Sequence, residues 1–225
     1  MARKALAELL GSLLLAAVVV GSGIAAQRFS QDGGLQLLEN SLVTGAALVA
    51  LILALGPVSA AFNPVVTLVE RFFGAVSSVE AGVFIVAQVV GCCLGTMLAN
   101  LMYDLPAVTL SNHERSAGSL WLGEVVATFG LVLIIFGVAR SGNRSRVAFA
   151  VGGYITAAYW FTSSTSFANP AITVGRMLSD TFAGIMPSSV PMFVLMQLVG
   201  GALATGAVAV LYPDRQAVAG QLAQG

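Results

Sequence analysis

Six apolar stretches run along the chain at 5–26, 38–56, 79–102, 118–139, 147–166 and 189–211, each long enough for a bilayer that takes about 20 residues per helical crossing. Two shorter apolar segments, 64–73 and 170–180, cannot span and carry Glu70, Arg71, Arg176 and Asp180 at their far ends, so they read as half-helices. Each is entered through Asn-Pro, first as Ala61-Phe62-Asn63-Pro64-Val65-Val66-Thr67 and again as Phe167-Ala168-Asn169-Pro170-Ala171-Ile172-Thr173. Asn caps helices well and Pro is pre-set for a first turn, which makes both motifs helix starts. The predicted fold is an all-α membrane protein of six transmembrane helices and two half-helices.

Composition places those helix starts inside the membrane, because 57% of the residues are hydrophobic and only 9% charged. Irregular backbone is tolerated at that depth only where it packs in protein or lines a water-filled cavity, so a pore or binding site is implied. The two motifs suggest an inverted duplication that aims two helix N-termini at one spot. A second match supports it: Phe84-Ile85-Val86-Ala87-Gln88-Val89-Val90-Gly91 against Phe193-Val194-Leu195-Met196-Gln197-Leu198-Val199-Gly200, at a constant offset. Ala7-Glu8-Leu9-Leu10 pairs more weakly with Gly123-Glu124-Val125-Val126. The expected organisation is a single channel domain, 1–225, with repeats of about 1–112 and 116–225.

An intramembrane carboxylate costs about 2.5–3.5 kcal/mol on insertion scales and calls for a partner. Glu8 and Glu124, helped by Gln88 and Gln197, are expected to brace the unwound backbone before each half-helix, whose N–H groups lack helical acceptors. Arg3-Lys4, the apolar run 9–20 and Ala25-Ala26 mimic a signal peptide, but cleavage would remove the first helix of the duplication. With the N-terminus inside, Arg3, Lys4, Arg71, Arg140, Arg144, Arg146 and Arg215 lie on the inner side against Arg28, Arg115 and Arg176 outside. Both termini are then cytoplasmic.

Other conspicuous residues carry less. Cys92 and Cys93 are adjacent, which disfavours a disulfide between them, and packing is their simplest reading. His113, the single histidine, fits a solvated outer loop as well as a pH gate. No Cys/His cluster suggests a metal, and no nucleophile, base and acid occur together, so neither metal nor cofactor nor enzymatic activity is expected. The formal net charge of zero gives no reason to expect a nucleic-acid partner. Tyr159, Trp160 and Phe161 suit either a filter or an interfacial belt, and the arginine-rich turn 140–146 suits orientation or contact with anionic lipid.

Over nearly its whole length the chain resembles the aquaporin, or major intrinsic protein, family. The resemblance rests on the duplicated Asn-Pro-Val and Asn-Pro-Ala, on Glu8, Glu124, Gln88 and Gln197, and on Gly56-Pro57-Val58-Ser59 leading into the first motif. It implies a homotetramer with one pore per subunit, lined by Asn63, Pro64, Val65, Asn169, Pro170 and Ala171, where both Asn side chains donate to passing solute. Carbonyls of 59–62 and 165–168 would supply acceptors. Conduction would be passive, for small neutral solutes, in the inner (plasma) membrane of a bacterium, in contact with membrane lipid.

The departures bear on selectivity. Val65 stands where the family usually has Ala, and the usual His before the first motif is missing, which predicts a more apolar pore centre. Ile172 occupies the place of the family's filter Arg, with loss of its charge and forked geometry, and Thr173 replaces the glycerol channels' Asp. The filter position in the second span falls on Thr44. Its partner in the fifth span lies among Thr156, Ala157 and Tyr159, of which Ala157 is set beside Thr44 and Ile172 in the expected filter. Arg176, four residues after Ile172, either keeps positive charge in an outer vestibule or pairs with Asp180 on the surface. The stretch 157–170 is similar to the bacterial aquaglyceroporin branch associated with arsenic resistance, which implies conduction of arsenite and methylated arsenicals beside glycerol and water. A water-selective aquaporin, a secondary transporter built on half-helices, and a closed adhesion or scaffold protein are the alternatives.

Overall fold

The computed structural model describes residues 1–140, 142 and 145–213; Arg144 and Arg215 of the orientation count, and residues 141 and 143 of the arginine-rich turn, lie outside them. The order of elements is α1 (Ala2–Phe29), α2 (Gly33–Leu55), α3 (Pro64–Phe72), α4 (Ser78–Met102), α5 (Gly118–Arg140), α6 (Ser145–Phe161), α7 (Pro170–Arg176) and α8 (Val190–Leu211), with a short 3-10 turn, Pro187–Ser189, leading into α8. Among the described residues five helices, α1, α2, α4, α5 and α8, are long and apolar enough to cross a membrane. The sixth, α6, has 17 residues, at the short end of what a crossing takes.

Local signals account for the boundaries. Asp32 caps α2 by accepting from Leu35 N at 2.8 Å. Ser77 and Glu80 close a reciprocal capping box on α4, at 3.2 and 3.0 Å. The apolar pattern carried the fifth span to residue 166, yet α6 stops at Phe161, ahead of a loop in which Thr165, Ser166 and Ala168 take left-handed φ angles of 61°, 51° and 48°. A run of Ser and Thr does not read as a break in a hydropathy profile. The second half-helix likewise ends at Arg176, not 180, as Leu178 N turns back to Gly175 O at 3.0 Å.

In the packing, α1 lies along α4, α5 along α8, and α2 along α6. The first two pairs share one device. A Cβ at Gly91 would meet Leu9 O at 2.4 Å, and one at Gly200 would meet Val125 O at 2.5 Å, so only glycine lets each backbone approach its neighbour this closely. Leu, Val and Phe side chains on the outer faces, such as Leu42, Val86, Phe149 and Leu203, are exposed. The half-helices α3 and α7 pack inside this shell, α3 against α4 and α8, and α7 against α4 and α8.

Candidate functional site

Both half-helices begin with the same construction. Asn63 Oδ1 accepts from Val65 N at 2.9 Å, and Asn169 Oδ1 accepts from Ala171 N at 3.0 Å and Ile172 N at 3.3 Å. Their amide nitrogens then cross between the halves: Asn63 Nδ2 donates to Ala168 O at 2.7 Å, and Asn169 Nδ2 donates to Phe62 O at 2.7 Å. An amide nitrogen carries two hydrogens, so this reciprocal clasp leaves one N–H on each Asn without a protein acceptor. Phe62 O and Ala168 O, expected as acceptors for solute, each accept from the other half's Asn and keep a second lone pair.

Beneath the clasp lies a fully buried polar brace in each half. Glu8 accepts from Ser59 Oγ at 2.5 Å, Ala61 N at 2.9 Å, Phe62 N at 2.7 Å and Gln88 Nε2 at 2.8 Å. Glu124 accepts from Phe167 N and Ala168 N, both at 2.9 Å, and from Gln197 Nε2 at 2.6 Å. Gln88 Nε2 also donates to Thr67 Oγ1 at 2.9 Å and Gln197 Nε2 to Thr173 Oγ1 at 2.8 Å. The donors that unwinding frees are thereby satisfied, which offsets the cost of burying the carboxylates. Thr67 and Thr173 were missed as members of the brace, although their recurrence at the end of both motif copies was a usable signal.

A cavity of about 720 Å³ runs past the clasp, lined by Asn63 and Asn169. One end is bounded by Lys4, Glu70 and Ser145, the other by Thr44, Tyr159, Ile172 and Arg176. Pro64, Val65, Pro170 and Ala171 lie outside the lining. The expected apolar effect of Val65 on the pore centre is therefore corrected: its side chain points to α8, where a Cβ at Gly201 would meet Val65 Cγ1 at 2.3 Å. Cys92, the residue 109 places before Gly201, is buried in the core cluster that holds Ala171, so larger and smaller residues change places between equivalent positions of the two halves.

The fifth-span filter position needs a second correction. Ala157 is exposed on the outer face of α6 and does not line the cavity. Thr156 Oγ1 bonds within the α2–α6 contact, to Gly152 O at 2.9 Å. Tyr159 faces inward, 3% exposed, with its hydroxyl 3.3 Å from Thr44 Oγ1. The signal was available, because Ala148, Val151, Gly152, Ile155, Ala158 and Tyr159 are the buried residues of α6 and recur at helical spacing.

Arg176 is neither in an open vestibule nor paired with Asp180. It is 3% exposed, its Nε donates to Ala183 O, and its Cζ lies 3.4 Å from the centre of the Phe167 ring. Asp180 instead accepts from Asn112 N at 2.9 Å, with His113 Nε2 at 3.9 Å. The Asn112 N–H holds the Asp180 carboxyl below the usual carboxylate range. Arg115, counted from sequence only as an outer charge, donates from Nε to Gly184 O at 3.1 Å and from Nη1 to Ser164 O at 3.4 Å, tying the loop before α5 to both segments that flank α7. Cys92 is buried, its Sγ 3.6 Å from Ser12 O, as packing requires. No group of three or more His, Cys, Asp or Glu suited to a metal occurs among the described residues.

Comparison with known proteins agrees with this architecture. The family model "Major intrinsic protein" matches residues 1–158. The chain is 47% identical over 203 residues to aquaglyceroporin AqpS of Rhizobium meliloti, covering 90% of this chain and 87% of that one. It is 33% identical over 174 residues to the probable aquaporin AqpM of Archaeoglobus fulgidus, covering 70% of each. The crystal structure of the aquaglyceroporin from Plasmodium falciparum superposes with a TM-score of 0.76 at 18% identity, over 96% of this chain and 98% of that one, a likeness of fold. Clasped half-helices inside a six-helix shell and the match to family model and relatives lead to one assignment: the chain belongs to the major intrinsic protein family.

Proposed function

We propose that this protein is a passive membrane channel for small uncharged solutes: water, glycerol-like polyols, and arsenite or methylated arsenicals. The observation that carries the reading is the clasp. Two half-helix starts meet beside one cavity, and each of Asn63 and Asn169 keeps a single N–H for a solute oxygen. Each half-helix N-terminus bears roughly +0.5 of an elementary charge, which disfavours a proton or metal cation at this point while a neutral hydrogen-bonding solute passes. Glu8, Glu124, Gln88 and Gln197 hold the loops in register. Thr44, Tyr159 and Ile172 form the filter walls, with no arginine at position 172.

The Arg176 end faces outward and both termini lie in the cytoplasm, on the arginine and lysine count. The subunits assemble as a homotetramer in a bacterial plasma membrane, with one pore in each and the exposed apolar faces against lipid and neighbours. Similarity to a protein named aquaglyceroporin supports glycerol as a solute. The inward hydroxyl of Tyr159, 3.3 Å from Thr44, favours a second reading, a water-selective pore.

Stopped-flow light scattering of proteoliposomes in a glycerol gradient, with arsenite uptake followed in parallel, separates these readings. Rapid entry of both solutes is the expected result. Water flux alone selects the narrower pore, and absence of any flux removes the channel assignment.

A further inference from the structure

Building on the channel reading, we propose that Arg176 supplies the solute-selecting guanidinium that position 172 lacks, and that it binds paired oxygens of a polyhydroxylated solute. The sequence puts Arg176 one helical turn beyond Ile172, on the same face. Side chains on a helix lean toward its N-terminus, so a residue one turn further on can serve the level of the residue before it.

The structure then fixes the guanidinium from two sides. Its Nε donates to Ala183 O, its plane lies against the Phe167 ring, and Phe167 is itself held edge-on to Phe193 with ring centres 5.2 Å apart. Arg115 lies 4.9 Å from the same ring but does not line the cavity. Among the described residues Arg176 Nη1 and Nη2 have no protein acceptor, although the residue is 3% exposed and lines the cavity. A guanidinium offers its donors in a planar fork that two neighbouring oxygens can accept together. The cavity wall also holds the Thr44–Tyr159 hydroxyl pair. A solute with several hydroxyls would meet forked donors and two hydroxyl groups along that wall, and the ordering cost of placing them is already met by packing.

The test compares wild-type, Arg176→Ala and Arg176→Lys channels in proteoliposomes, reading the concentration dependence of glycerol flux and the rate ratio of glycerol to a five-carbon polyol. Losing the fork should raise the half-saturating glycerol concentration at least about fivefold in both variants. It should also lower discrimination against the larger polyol about tenfold in Arg176→Ala, where the passage widens as well. Should Arg176→Ala fail to assemble, Arg176→Lys carries the test, since a single ammonium lacks the fork. Unchanged half-saturation and solute ranking in the assembled variants overturn the assignment of Arg176 while leaving the channel intact; a wild-type protein without flux overturns both.

Discussion

The two loops that enter the half-helices share a brace and a clasp but differ in their backbone. In residues 59–63 only Phe62 takes a left-handed φ, 48°, and Glu8 draws on the Ser59 hydroxyl as well as two N–H groups. In residues 162–169 Thr165, Ser166 and Ala168 are all left-handed, and Glu124 has two backbone N–H groups and one glutamine. Left-handed backbone costs roughly 1–2 kcal/mol for each residue that is not glycine. The second loop therefore concentrates strain, and it is the loop that carries Phe167, against which Arg176 rests. The middle of the molecule is built by repetition, whereas the Arg176 end of the cavity is built by departure from it.

The sharpest way to break this comparison is to remove the carboxylates. Glu124→Ala strands two backbone N–H groups and Gln197, at about 1–3 kcal/mol for each unsatisfied donor, beneath the more strained loop. Thermal unfolding of the detergent-solubilised protein should show a large loss of stability for both Glu124→Ala and Glu8→Ala, which strands one donor more. A loss from Glu124→Ala at least equal to that from Glu8→Ala is expected if the left-handed residues add to the load on its brace; a loss smaller by one donor would mean that they add nothing.

Next in size is the clasp. Asn63→Asp or Asn169→Asp replaces the donor to Ala168 O or Phe62 O by an acceptor, at about 1–3 kcal/mol, and each 1.4 kcal/mol is tenfold. Glycerol flux should fall roughly tenfold or more in either variant, alike for both because the clasp is symmetric. Ile172→Arg acts only on the second half and should slow glycerol several-fold more than water; equal slowing of both would remove residue 172 from the filter.

The smallest effect sharpens the packing exchange. Val65→Ala should cost about 1–3 kcal/mol through the gap left at Gly201, with solute flux unchanged because Val65 does not line the cavity. Gly201→Ala alone overpacks that contact, and the double variant Val65→Ala with Gly201→Ala should recover part of the loss, a coupling that a double-mutant cycle measures.

Much of this was legible in the chain. Asn-Pro at two helix starts, a Glu in each half and a Gln at a fixed offset are repeated polar residues in an apolar background, and burial leaves such residues few ways to be satisfied. What escaped was set by direction and not by type. Val65 and Tyr159 were misjudged because hydropathy does not tell which face of a helix meets a cavity. Arg176 was given an open vestibule or Asp180 as partner because sequence spacing does not report the turn at Leu178 that ends α7 and brings Ala183 O to its Nε. The end of α6 was missed because hydropathy does not register left-handed backbone, here at Thr165 and Ser166 just before the Phe167 N–H that Glu124 accepts.

A passive channel of this build passes a neutral solute downhill through the clasped cavity, and the passage is electrically silent. Glycerol flux and ion current measured together on the same reconstituted protein test it most directly. Glycerol should equilibrate without measurable current and without accumulation above the external concentration. Accumulation against the gradient, or a current that accompanies glycerol, would contradict it and assign the half-helices to a coupled transporter.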